Sequence, residues 1–180
     1  MKRSLAIIAA AGLLIAAVPH HEQAPASAIA TDRMIWSQTI GFVTAAAEQV
    51  PESLYAFRPA PTVRTFGQLV AHIAGSQNMF CGAALGEKPS AEDDVEKNAT
   101  TKAAIIAALK ASTAHCEKAY ALSDAAALNQ KVSLFGMNAT GMWAILLNTS
   151  HDDEHYGNMV TYMRIKGMVP PSSAPMPASK

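Results

Sequence analysis

The chain has only two cysteines among its 180 residues, and its formal net charge is zero, from 14 basic and 14 acidic side chains. No basic face is available to hold phosphates, which argues against a nucleic-acid partner. After residue 18 no apolar run approaches the ~20 residues that a membrane-spanning helix needs, so no stable membrane insertion is expected of the processed chain. There is no internal repeat, no G-x-S-x-G and no G-x-G-x-x-G. The stretch "GAALGEK" only superficially resembles a phosphate loop, because it has three residues between its glycines and follows a helix. Three N-x-[ST] triplets occur at Asn98, Asn138 and Asn148; Asn148 is expected to be buried, and its match is chance.

What is present begins with a leader pattern. Met1, Lys2 and Arg3 precede an apolar run from Leu5 to Val18, and the small residues of "APASAIA" follow. This charged, apolar and small-residue order is that of a secretory signal peptide, with cleavage expected at Ala26-Ser27-Ala28 or Ala28-Ile29-Ala30. Residues 1–28 are expected to be removed, and an exported (periplasmic or secreted) bacterial product follows. Lys2, Arg3 and Glu22 would leave with the leader, so 12 basic residues remain against 13 acidic ones. About 150 residues remain, which make one domain.

Hydrophobic periodicity predicts four helices of about 20 residues. The first covers 31–50, with Ile35, Trp36, Thr39, Phe42, Val43 and Ala46 on its apolar stripe and Thr31 or Asp32 as its cap. The second runs from about Thr65 to Leu85, the third from Thr101 to about Leu122, and the fourth from about Thr140 to Gly167 and Pro170. Residues 123–139 read as irregular, with "KVSLF" extended, and 87–100 as a polar loop. The fold class is therefore all-α, a four-helix bundle over 31–169. The tail 170–180 reads as disordered. The connection between the second and third helices is long enough to run a helix length, so those two are expected to lie parallel.

"SHDDEHYGNMVTYMR" places His151 and His155 one turn apart. On a helical wheel they share a face with Ala144, Leu147, Asn158, Met159, Tyr162 and Ile165. On the second helix His72 shares a face with Thr65, Leu69, Ser76, Met79 and Ala83. Three inward histidines on facing helices suit one divalent transition metal (Zn, Ni or Cu), leaving coordination positions open. The alternative is three core histidines, each with its own hydrogen bond. Gln68, Asn148, Asn158 and Tyr162 are candidate pocket residues. Asp152 and Glu154 flank the pair and read as surface charge, with an imidazole N–H acceptor as the other role. His115 reads as exposed. Met142, Leu146 and Val160 form a second apolar side of the fourth helix, suited to a homodimer interface or to a bundle neighbour. Cys81 and Cys116 are either a structural disulfide or two buried thiols. A haem bundle is disfavoured, because two histidines at i and i+4 cannot be opposite axial ligands.

The stretches "ESLYAFRPAPTVRTFGQLVAHIA" and "SHDDEHYGNMVTYMRIKGMVPPSS" resemble the DinB (YfiT-like) superfamily. They carry its Tyr-x-Phe-Arg-Pro before the second helix, a histidine within that helix, and a final His-x-x-x-His-x-Gly helix running to Pro-Pro. The resemblance spans residues 31–173. It implies an up-down-down-up bundle with a long crossover between the second and third helices. It also implies a divalent metal on His72, His151 and His155, a homodimer, and a small-molecule substrate. The activity it implies is that of a metal-dependent hydrolase or thiol transferase, with a non-catalytic metal or small-ligand binder as the alternative. The leader departs from the family's cytosolic members and makes a low-molecular-weight thiol cosubstrate less apt here.

Overall fold

A computed structural model of the protein describes residues 27–88 and 90–175. The expected leader lies almost wholly outside them. Four long helices carry the fold: α1 (Ala28–Gln49), α2 (Phe66–Ala84), α4 (Lys102–Ala119) and α6 (Gly141–Ile165). Two short helices, α3 (Asp94–Asn98) and α5 (Asp124–Asn129), lie in the connections. A hairpin of β1 (Lys131–Leu134) and β2 (Met137–Thr140) precedes α6. Its strands pair antiparallel, with Lys131 opposite Thr140 and Leu134 opposite Met137. Phe135 and Gly136 close it with positive φ at both positions, the backbone of a tight two-residue hairpin turn.

Each long helix starts at a hydroxyl. Ser27, Thr65, Thr101 and Thr140 accept hydrogen bonds from Ala30, Gln68, Ala104 and Trp143 respectively, satisfying an N–H that no helical carbonyl can reach. Thr65 and Gln68 form a reciprocal capping box. The first helix starts three residues earlier than its periodicity indicated. The Asp124 carboxylate accepts from Ser27 Oγ at 2.7 Å and from the N–H groups of Ala28 and Ile29 at 2.8 and 3.1 Å. Ile29 is buried as a result.

The core lies around α2, which packs on both α4 and α6 and is buried on nearly every side. Trp36 and Val43 from α1, Ile73 and Phe80 from α2, Leu109 from α4, and Ile145, Met159 and Met163 from α6 are among its fully buried side chains. Cys81 and Cys116, both fully buried, are joined as a disulfide between α2 and α4 with Cα atoms 5.1 Å apart.

Several expectations are corrected. Ile35 is half exposed, and Asp32 takes the inward position instead, accepting from Thr149 Oγ1 at 2.9 Å. For Met142, Leu146 and Val160 the bundle-neighbour alternative applies to two: Met142 is buried and Val160 packs on the core, and of these three apolar residues only Leu146 is exposed. The tail is ordered as far as it is described. Pro170 is buried, Pro171–Ser173 make one 3-10 turn, and the Ser172 N–H donates to the Tyr156 hydroxyl at 2.9 Å. Residues 176–180 lie outside the described part. No described helix is long and apolar enough to cross a membrane.

Candidate metal centre

α2 and α6 lie side by side, and their histidines meet at that seam. His151 Nε2 is 3.2 Å from His72 Nε2 and 3.0 Å from His155 Nε2. A ligating atom from each of the three lies within 4.8 Å of the others. Three nitrogens bound to one ion at about 2.0–2.1 Å would themselves be roughly 3–3.4 Å apart. The donor set therefore suits one divalent transition ion. Burial, the nearby Arg64 guanidinium and the neighbouring imidazoles push His72 down to about 3. Burial, His151 and Arg64 push His155 down to about 4. Both rings are thus neutral near pH 7 and offer a lone pair.

Nδ1 of His72 and Nδ1 of His151 are buried without a hydrogen-bond partner among the described residues. Asp152 Oδ1, equally without a partner, lies 4.0 Å from His151 Nδ1. That separation is beyond a hydrogen bond but close enough for an electrostatic pull, which favours a proton on Nδ1 and the lone pair on Nε2. Asp152 is fully buried, which corrects its reading as surface charge. Its Oδ2 accepts from Trp36 Nε1 at 3.2 Å and from Asn148 Nδ2 at 3.3 Å. Burial raises its carboxyl to about 6, against the opposing pull of His151 and Trp36.

Asn148 is buried as expected, but it is not among the residues that line the cleft beside His155: it donates to Tyr120 Oη at 3.2 Å as well as to Asp152. The other pocket candidates, Gln68, Asn158 and Tyr162, line an open cleft of about 700 Å³ that reaches His155. Arg58 and Arg64 stand on its wall, and Arg64 is paired with Glu96 at 3.0 Å. Asn158 Nδ2 lies 3.5 Å from His155 Nδ1, and Tyr162 Oη donates to the Arg64 carbonyl at 2.9 Å. His115 sits apart from the site, near the surface and 3.0 Å from Glu87.

One residue at the centre was not read from the sequence. Glu92, in the loop between α2 and α3, places Oε1 3.5 Å from His72 Nε2 and 3.6 Å from His151 Nε2. It also accepts from Ser76 Oγ at 3.0 Å. The only trace of this in the sequence is Gly75, one turn beyond His72 on a buried helix. A Cβ there would come within 2.0 Å of the Glu92 carbonyl oxygen.

Compared with known proteins, the chain matches the family model of the DinB superfamily over residues 36–159. The chain belongs to the DinB superfamily. The match runs from Trp36 in α1 to Met159 in α6 and so includes all three histidines. YjoA of Bacillus subtilis (strain 168) is 25% identical over 127 residues, 67% of this chain and 79% of that protein. Among solved structures, a DinB-like protein from Bacillus cereus ATCC 10987 superposes with a TM-score of 0.66 at 18% identity, covering 78% of this chain and 93% of that one. The mycothiol-dependent maleylpyruvate isomerase gives 0.58 at 14% identity, covering 84% and 80%. At these identities the likeness to the solved structures is one of fold.

Proposed function

We propose that this DinB-superfamily chain is an exported metalloenzyme in which His72, His151 and His155 hold one divalent ion (Zn, Ni or Cu). The observation that carries the reading is the convergence of the three Nε2 atoms at 3.0 and 3.2 Å, with His72 and His155 held neutral chiefly by burial. When bound, such an ion polarises a substrate oxygen or sulfur, or acidifies a water, the chemistry of a hydrolase or group transferase. The cleft beside His155 gives a small molecule access, with Arg58 and Asn158 as polar groups for orienting it. A thiol cosubstrate is the version suggested by the name of the mycothiol-dependent neighbour.

Export is supported by the leader pattern and by the Cys81–Cys116 disulfide, which persists in oxidising compartments. The up-down-down-up order is supported by the same bridge. It joins residues near the C-terminal ends of α2 and α4, as two parallel helices would allow.

The test is elemental analysis of the full chain, produced through export without a histidine tag, beside His72→Ala and His151→Ala. About one ion per chain, lost in both variants with the helical signal intact, supports the reading. No metal in the wild type, even after reconstitution, overturns it. Intact mass and light scattering of the same samples report leader removal and the homodimer that the resemblance implies.

A further inference from the structure

We propose that Glu92 is a fourth protein ligand of the metal centre, brought there by the α2–α3 loop and seated by Gly75 and Ser76. The inference rests on the metal reading above and adds to it a carboxylate from outside the helical frame.

Distance is the first argument. Oε1 lies 3.5 and 3.6 Å from two of the converging nitrogens. Those separations exceed a good N–H···O hydrogen bond of 2.7–3.2 Å, and they are nearly equal, so the oxygen favours neither imidazole. Ligand atoms about 2.0–2.2 Å from a shared four-coordinate ion are separated by roughly 3.2–3.5 Å. The separations from His72 and His151 are those of an oxygen and two nitrogens around one ion; the atoms that all lie within 4.8 Å of one another are those of the three histidines without Glu92, so Oε1 stands on the His72–His151 side of the centre, away from His155.

The way the loop is held is the second. Ser76 is fully buried and its hydroxyl donates to the same Oε1, which fixes the carboxylate on the site as outer hydrogen bonds do for metal-bound carboxylates. Gly75 lets the Glu92 backbone settle on α2, where any side chain would collide with its carbonyl. Two consecutive residues of α2, one turn beyond His72, thus serve the placement of one glutamate.

Charge is the third. Three neutral imidazoles leave both charges of a divalent ion uncompensated, beside the Arg64 guanidinium that already acts on His72 and His155. Glu92 supplies one negative charge where it is needed. Glu92 does not line the cleft beside His155, so it leaves that side of the triad free for an incoming ligand.

The test is titration of the metal-free full-length chain with Zn(II) and with Co(II), comparing wild type, Glu92→Gln and Gly75→Ala. Glu92 is about one-third exposed, so Glu92→Gln leaves the fold intact, and far-UV circular dichroism checks both variants. Glu92→Gln is expected to weaken Zn(II) binding about 10–100-fold and to change the Co(II) visible absorption as oxygen coordination changes. Gly75→Ala keeps the carboxylate but displaces its backbone, and it should move both readouts in the same direction. Metal bound by the wild type, with Glu92→Gln within twofold in affinity and the same Co(II) spectrum, overturns the fourth ligand and leaves the triad standing. No metal bound by the wild type overturns both.

Discussion

Breaking the Cys81–Cys116 bridge should cost this small bundle a large part of its stability. The bond spans a sequence separation of 35 residues. The loop-closure relation for a loop of that length gives about 12.7 cal/mol/K of denatured-state entropy removed, or about 3.8 kcal/mol at 25 °C. Both sulfurs are fully buried at the α2–α4 contact. The Cys81→Ala/Cys116→Ala double variant is the better perturbation, because it avoids placing two polar groups in the core. A domain of about 150 residues loses about 2–4 °C per kcal/mol, so its Tm should fall by about 8–15 °C. Thermal unfolding followed by circular dichroism at 222 nm measures this, and wild type in excess reductant should fall towards the double variant. A thiol assay on the denatured, unreduced wild type should find no free sulfhydryl. A loss under about 1 kcal/mol, or two free thiols, would refute the reasoning.

Two further outcomes follow from the buried groups around the centre. Asp152→Asn should weaken metal binding about 10–100-fold while retaining the helical signal, because the carboxylate facing His151 Nδ1 is lost; a competition titration within twofold of wild type would remove Asp152 from that role. The metal-free protein should lose stability between pH 7 and pH 5. His72 and His155, held down to about 3 and 4, stay neutral in the fold while their unfolded counterparts take up protons below about 6.5, which costs about 2 kcal/mol each at pH 5. Asp152, raised to about 6, binds its proton earlier in the folded state and returns about 1.4 kcal/mol. The net is a loss of about 2–3 kcal/mol, measurable as a fall in urea midpoint, and a flat profile over that range would refute the neutral histidines.

The long helices were legible because three of the four declare themselves locally. Thr65, Thr101 and Thr140 each sit ahead of a periodic run and cap it. The start of α1 was hidden, since Ser27 lies among small residues that resemble a cleavage region and its partner Asp124 is 97 positions away. The histidine pair was readable from its i, i+4 spacing and His72 from its apolar row. The wheel of α6 misled for a physical reason. That helix is covered by both α1 and α2, so its buried surface is broad and runs through Asn148, Asp152 and Tyr156, leaving His151 and His155 at its edge. Centring the wheel on the histidines therefore sent Asp152 to the surface and Asn148 to the cleft. Glu92 was unreadable for the opposite reason: it stands in an acidic loop whose composition signals solvent. Only the tertiary approach of that loop to Gly75 gives it a role.

The burial of α2 also bears on how such a protein can change over time. Seventeen of its nineteen residues are buried, so nearly every replacement on the helix that carries His72 is a core replacement. α6 and the α2–α3 loop supply the other donors, and each has a solvent side on which mutations act singly and mildly. A lineage exploring new substrates would therefore vary these two elements and the cleft wall while α2 stayed nearly fixed. Saturation mutagenesis should return that asymmetry as a tolerance map, intolerant along α2 except at Gln68 and Asn78, and striped along α6.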